Sequence, residues 1–289
     1  MKRYLALKKI VDTGSFSKAA EILGYTQSAM SQMISSLEDE LSIKLLNRFR
    51  TGTQLTPEGQ KLYPYIEQTI NHYFSMQEKA KEIRGLDTGI IRMGTLASIS
   101  AHWMPKIIKE FQSLHPGVEF VIHQGDYTSI QNWIKTGAID FGFVNPKAVN
   151  GLQTVTLKDG LMLAIFPENH ILAQNDVVSL ADIAQEPFIL LEEGHYYEPL
   201  EAFQFIGKRP NIKYTIHDDY AIMTMVEAGL GISILAELVL RRTNYRLLLR
   251  KTEPPVYRTI AVGYKDIHSL PISSKRFIEY LQAHISELP

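Results

Sequence analysis

Apolar residues recur at three- and four-residue spacing as far as about Arg84, then give way to short β-branched runs, so a helical N-terminal part precedes an alternating α/β part. Tyr4, Leu7, Ile10 and Val11 outline a first amphipathic helix. Residues 15–37, SFSKAAEILGYTQSAMSQMISSL, read as two short helices joined by a tight turn. Ser17 can cap the first, whose Ala19, Ala20, Ile22 and Leu23 precede a stop at Gly24. Thr26 can cap the second, in which Met30, Ile34, Leu37 and Leu41 share an inward face. The opposite face, Gln27, Ser28, Ser31, Gln32 and Ser35, is small, neutral and rich in hydrogen-bonding groups, with no Lys or Glu before Glu38. A plain helical hairpin usually shows charges to water, whereas this face suits a helix-turn-helix whose second helix enters the major groove.

Two short β-like runs then flank an Arg- and Gly-containing tip, Arg48, Phe49, Arg50, Thr51, Gly52 and Thr53. The pattern resembles the wing of a winged helix, whose Arg48 and Arg50 are expected on the DNA backbone; a solvated loop charge is the alternative for Arg50. Thr56-Pro57-Glu58-Gly59 is a helix start, with cap, proline at the first position and an acid in the first turn. Leu62, Ile66, Thr69, Tyr73, Met76, Ala80 and Ile83 follow at alternating spacings of four and three, a heptad seam that is roughly 40 Å long at ~1.5 Å per residue. A second copy of the same helix is its simplest partner, and packing onto the chain's own domain is the alternative.

Beyond the boundary at about residues 87–90, strands are expected at 90–94, 118–123, 140–144, 161–166, 188–191, 212–216, 232–235 and 259–264. Helices fit between many of them, which predicts an α/β domain with largely parallel sheets.

Charge sharpens the division. Up to Arg84 there are 12 Lys and Arg against 9 Asp and Glu, and beyond it 18 against 22, so a polyanion partner belongs at the N-terminal end. With no cysteine, disulfides, thiolate metal sites and cysteine nucleophiles are excluded. The immediate start of the first helix predicts no signal peptide, and no apolar run nears the roughly 20 residues needed to span a membrane.

The run GSFSKAAEILGYTQSAMSQMISSLEDELSIKLLNR, followed by LTPEG, resembles the N-terminal domain of LysR-type transcriptional regulators, departing at Ser28, Gln32, Ser42 and Leu46. The resemblance continues through IRMGTLASISAHWMPKIIKEFQSLHPGVEF, TGAIDFGFV and MVEAGLGISIL. It implies a winged helix-turn-helix over residues 1–56, a dimerising linker helix over 57–86 and a two-lobed effector-binding domain, similar to periplasmic binding proteins, over 87–289. Lobe one is expected at 90–160 plus 266–289 and lobe two at 161–265. Double-stranded DNA carrying an interrupted palindrome, a small-molecule effector, a homodimer joined into a tetramer, and RNA polymerase are the implied partners, in a cytoplasmic setting without membrane or cofactor. On the reading face, Thr26, Gln27, Ser28, Ala29, Ser31, Gln32 and Ser35 are the DNA-binding candidates, with Arg48, Arg50, Thr51 and Thr53 in the wing.

Residues 95–100 follow a strand and precede a helix, so the hydroxyls of Thr95, Ser98 and Ser100 and the backbone of Ala97 and Ile99 are expected to converge on an anionic or carbonyl group. Ser98 sits where the family commonly has an effector-binding serine; the alternative is a plain cap. By family resemblance Asp126, Tyr127, Asn145 and the loop Glu193, Gly194, His195 face it, and so many carboxylates suit an amphoteric or hydroxylated ligand. No catalytic set emerges, since the histidines lack paired-ligand spacing and no serine lies in G-x-S-x-G. His217, Asp218 and Asp219 read as a helix-capping turn before a metal site. The glycines of 229–233 follow a helix and lead into a strand, the reverse of a dinucleotide-binding order, so Gly229 reads as a C-cap.

Overall fold

A computed structural model describes residues 1–49, 52–83 and 89–289, with backbone alone at 78, 79 and 81–83. Arg50, Thr51 and the side chain of Ile83 therefore lie outside the described residues. The chain divides into an N-terminal and a C-terminal unit.

In the N-terminal unit α1 (Lys2–Thr13), α2 (Phe16–Leu23) and α3 (Gln27–Leu41) precede a hairpin of β1 (Leu46–Phe49) and β2 (Gly52–Leu55) and the long α4 (Pro57–Ile83). Ser15, not Ser17, caps α2: its extended backbone lets the side chain accept the Lys18 N–H at 3.3 Å, whereas Ser17 already lies inside the first turn. Gly24 ends α2 at φ 70°, and Thr26 opens α3 by accepting the Ala29 N–H at 3.2 Å. Leu7, Ile10, Met30, Ile34 and Leu37 fill the core, and Ile66 and Ile70 of α4 complete it. This corrects the expected seam. Ile66 is only 4% exposed and half-buried Leu62 packs beside it, because the first turns of α4 close the winged helix. Farther along, Tyr65, Thr69 and Met76 are exposed, with Tyr73 and Ala80 half-buried.

Glu38 ties the wing to α3. Its Oε1 accepts the N–H groups of Leu45 (2.8 Å) and Leu46 (3.2 Å), and its Oε2 pairs with Lys44 Nζ at 2.7 Å. Burial raises this carboxyl's pKa, but Lys44 and the two N–H groups outweigh it and hold the group below the ordinary glutamate range.

The C-terminal unit runs β3 (Gly89–Thr95), α5 (Ala97–His102), α6 (Met104–Leu114), β4 (Val118–Gln124), α7 (Tyr127–Thr136), β5 (Phe141–Val144), β6 (Gln153–Pro167), β7 (Val177–Ser179), α8 (Leu180–Ile183), β8 (Pro187–Leu191), α9 (Glu198–Phe205), β9 (Asn211–Ile216), α10 (Asp219–Glu227), β10 (Ser233–Ala236), β11 (Leu247–Glu253), β12 (Val256–Tyr264) and α11 (Ile272–His284). One sheet is ordered β4-β3-β5-β12-β6-β11-β7, with β10 also on β6, and β8-β9 form a separate parallel pair. The expected parallel pairing holds for β3 with β4 and β5, but the middle of the sheet is antiparallel.

The domain has one core at its first end and two at its second. Trp103, Phe111, Phe141, Phe143 and Phe277 pack the first. Strand β6 alternates at the other end, sending Met162, Ala164 and Phe166 to one cluster and Leu163 and Ile165 to another, as the two-residue period of a strand requires. Strands β6 and β12 pair from Val256 opposite Met162 to Tyr264 opposite Gln153, with a register shift between Ile260 and Ala261. They span both ends. Assigning all of 161–265 to lobe two is therefore corrected, since Ile260, Val262 and Tyr264 belong to the first core. No described helix is long and apolar enough to cross a membrane.

Candidate functional site

On the N-terminal unit, Gln27, Ser28, Ser31, Gln32 and Ser35 of α3 line one shallow outward depression. Ala29 is half-buried, and Thr26 is occupied as a cap. Arg48 reaches back from the wing, donating to Ser31 Oγ at 3.0 Å while its guanidinium lies 3.8 Å from the centre of the Phe16 ring. The arginine thus links wing, α2 and α3, and Gln27, Gln32 and Ser35 present exposed hydrogen-bonding side chains. Thr53, half-buried, donates its backbone N–H to the Gly14 carbonyl.

In the C-terminal unit a cleft of about 330 Å³ opens between the segments after β3 and β4 and those after β8 and β9. Four of the expected residues line it: Ala97, Ser98, Asp126 and Glu193. Others lie behind the wall. Thr95 is buried and hydrogen-bonds Ser100 through paired hydroxyls. Ile99 is fully buried in the first core, so its side chain is withdrawn from the expected site by the period of α5. Leu96, not Ser98, occupies the N-cap position of α5, so the plain-cap alternative for Ser98 does not describe this helix.

The centre of the cleft is a residue outside the sequence-based set, Arg258 of β12. It is 5% exposed, and its Nε donates to Tyr127 Oη at 2.8 Å, its Nη2 to Glu193 Oε1 at 2.7 Å and its Nη1 to Ser98 Oγ at 3.4 Å. Tyr127 Oη in turn donates to Glu198 Oε1 at 2.7 Å, and Asn145 Nδ2 reaches the same oxygen at 3.0 Å. Glu198 Oε2 is buried with no hydrogen-bond partner among the described residues. The loop 193–198 is strapped down here: His195 N–H donates to Thr128 Oγ1 at 3.1 Å, and Gly194, at φ 92°, leaves room for Thr128 where a Cβ would come within 2.2 Å of that hydroxyl.

Burial pushes the Glu193 carboxyl up against the pull of Arg258, and Glu198, Asp219 and Asp126 add to the rise. Burial likewise raises Asp219. Arg258 is driven down by burial but held up overall by Glu193, Tyr127 and Glu198. Asp218 accepts the Ala221 N–H at 2.8 Å as the cap of α10, as the sequence suggests, and it also lines the cleft with His217 and Asp219. Among the described residues no group of metal-ligating side chains is placed to hold an ion.

Two family models cover the chain: "Bacterial regulatory helix-turn-helix protein, lysR family" matches residues 1–60 and "LysR substrate binding domain" matches residues 84–286. The chain belongs to the LysR family. This LysR-family regulator carries a DNA-binding helix-turn-helix and a substrate-binding domain, and its family are transcriptional regulators, not enzymes. It is 30% identical over 274 residues to the uncharacterized HTH-type transcriptional regulator YvbU of Bacillus subtilis (strain 168), covering 94% of each chain. With the HTH-type transcriptional activator CmpR of Synechocystis it shares 27% identity over 281 residues, 95% of this chain and 92% of that one. The crystal structure of full-length CbnR complexed with its target DNA has the same fold, with a TM-score of 0.74 at 17% identity over 98% of both chains.

Arg258 was discoverable in the LysR-family sequence. Val256, Arg258, Ile260, Val262 and Tyr264 alternate along β12, so a charge sits on an otherwise apolar face, a signal that buried polar function leaves in a strand.

Proposed function

We propose that this protein is a cytoplasmic, effector-responsive transcription regulator that reads an interrupted palindrome as a homodimer or tetramer and binds a small metabolite in the cleft around Arg258. The observation that carries the reading is that one chain combines a recognition helix with a neutral hydrogen-bonding outer face and a cleft built on a buried cation. Gln27, Ser28, Gln32 and Ser35 read base edges, while Arg48, Arg50 and Thr51 meet phosphates. The α4 helices of two copies pair along Thr69, Tyr73, Met76, Ala80 and Ile83. An effector acts only through different affinities for assemblies that differ in spacing and bending of the DNA, and RNA polymerase receives the result. Residues 1–56, 57–86 and 87–289 serve as reader, dimeriser and sensor.

A gel-shift with DNA from upstream of the neighbouring transcription unit, repeated as candidate metabolites are added, tests this reading. Sequence-specific retention altered by one metabolite is expected. Equal retention of unrelated DNA overturns it.

A further inference from the structure

Resting on the cleft as the effector site, we propose that Glu193 is a built-in stand-in for the effector's carboxylate, holding Arg258 until an amphoteric, amino-acid-like ligand displaces it. Both side chains open into the same cleft, with Ser98 beside them. Arg258 is the one Lys or Arg lining it among the described residues. A buried ion pair is a poor way to stabilise a fold, because desolvating two charges offsets most of their attraction, and the neighbouring inward positions of β12 are filled by Val256 and Ile260.

The geometry leaves the pair open to exchange. A guanidinium offers five N–H donors in a planar fork, and a carboxylate engaged by two of them in parallel is held more firmly than one touched through a single oxygen. Glu193 supplies one oxygen to one Nη atom, and the neighbouring Nη1 reaches Ser98 only at 3.4 Å. An incoming carboxylate can take both Nη groups and the Ser98 hydroxyl. The partner that moves is Glu193, which stands in the loop between β8 and α9 next to the left-handed Gly194, whereas Arg258 is fixed in a paired strand. Displacing Glu193 leaves its charge in a cleft that already holds Asp126 and Asp219, so a ligand carrying only a negative charge meets repulsion. A ligand with an ammonium group as well offsets it. Freed from Arg258, Glu193 gives up its own tie to β12, and the loop 193–198 then keeps only the ties made by its other residues, His195 N–H to Thr128 and Glu198 to Tyr127 and Asn145, so the exchange loosens one end of the loop.

The test uses the full chain, with sodium acetate and glycine as probes at constant ionic strength, read by tryptophan fluorescence and by the thermal midpoint. Glu193→Ala is expected to bind acetate saturably and at least about tenfold more tightly than the wild type, since a seat occupied nine-tenths of the time by its own carboxylate lowers apparent affinity by that factor. Glycine should bind the variant more tightly than acetate does, and Glu193→Ala with Arg258→Met should respond to neither. Equal titrations for wild type and variant, or a response that survives loss of Arg258, overturns the stand-in; acetate binding as tightly as glycine overturns the amphoteric ligand. If the alanine variant fails to fold, Glu193→Gln, which keeps the volume and one acceptor oxygen, carries the same comparison. Operator binding by the wild type is measured in parallel: its failure sinks the regulator reading, and a flat titration beside intact operator binding sinks only the stand-in.

Discussion

In the proposed reading Gln32, exposed on the outer face of α3, contacts base edges and Arg50 contacts phosphate, so the two residues should differ in what their loss does. A bidentate amide contact to a base edge is worth about 1–3 kcal/mol, so Gln32→Ala should change which operators are preferred, read by binding to a randomised library. Arg50→Ala should weaken all operators alike and reduce the slope of log affinity against log salt by about 1; a change of preference with an unaltered slope would reverse the two roles. Glu38 belongs to stability. Its pKa lies lower in the folded than in the unfolded chain, so its contribution is fully present above the unfolded value and drains away as pH falls through the folded one. Glu38→Gln should cost about 1.5–3 kcal/mol, the range for hydrogen bonds to a charged group, and should flatten the acid dependence of amide exchange in the winged helix. Exchange that keeps the wild-type acid profile would show that the carboxylate clamp is incidental.

At the level of elements, the first turns of α4 close the winged-helix core and, in the proposed reading, its later turns pair with a second copy, so its halves should respond differently. Tyr73→Glu with Ala80→Glu sets like charges against their copies across a two-fold axis and should halve the sedimenting mass of the dimer without unfolding the winged helix. Ile66→Ala instead should cost about 2–5 kcal/mol of N-terminal stability through a core cavity. A fall in assembly mass from Ile66→Ala with unchanged stability would put the seam where the sequence first suggests it. The heptad period was legible, but a period names a face and not the surface that the face meets, which is why Leu62 and Ile66 read as dimer contacts. The cap at Thr26 and the turn at Gly24 are legible because their chemistry is local, whereas the cap of α2 falls at Ser15, two residues before the expected Ser17. Strand β11, LLLRKTE, was missed for want of alternation, and β6 was cut short because Gln153 to Gly160 is mostly polar. That truncation, with β12 expected from Thr259 but starting three residues earlier at Val256, hides Arg258. Glu198 was hidden too, since a carboxylate opening a helix normally reads as a partner of the helix dipole. Gly194→Ala should lift the loop 193–198 from Thr128 and enlarge the radius of gyration by small-angle scattering; an unchanged curve with the usual fluorescence would mean the strap yields elsewhere.

For the whole molecule the decisive feature is that β6 and β12 belong to both ends of the C-terminal unit. Cores that share strands lose them together, so calorimetry of the full chain should give one transition for that unit, and two resolved transitions there would show that each lobe holds its own. The same pair of strands governs the order in which the protein matures as it is made. The winged-helix core is complete once Ile70 has been added, from contacts close in sequence. Strand β5, by contrast, waits from Phe141 to Tyr264 for the partner on its open side, and the first core still lacks Phe277 and Leu281 of α11. A nascent chain therefore owns a finished DNA reader well before it owns a sensor, and whatever that reader engages in the interval is engaged without regard to the metabolite.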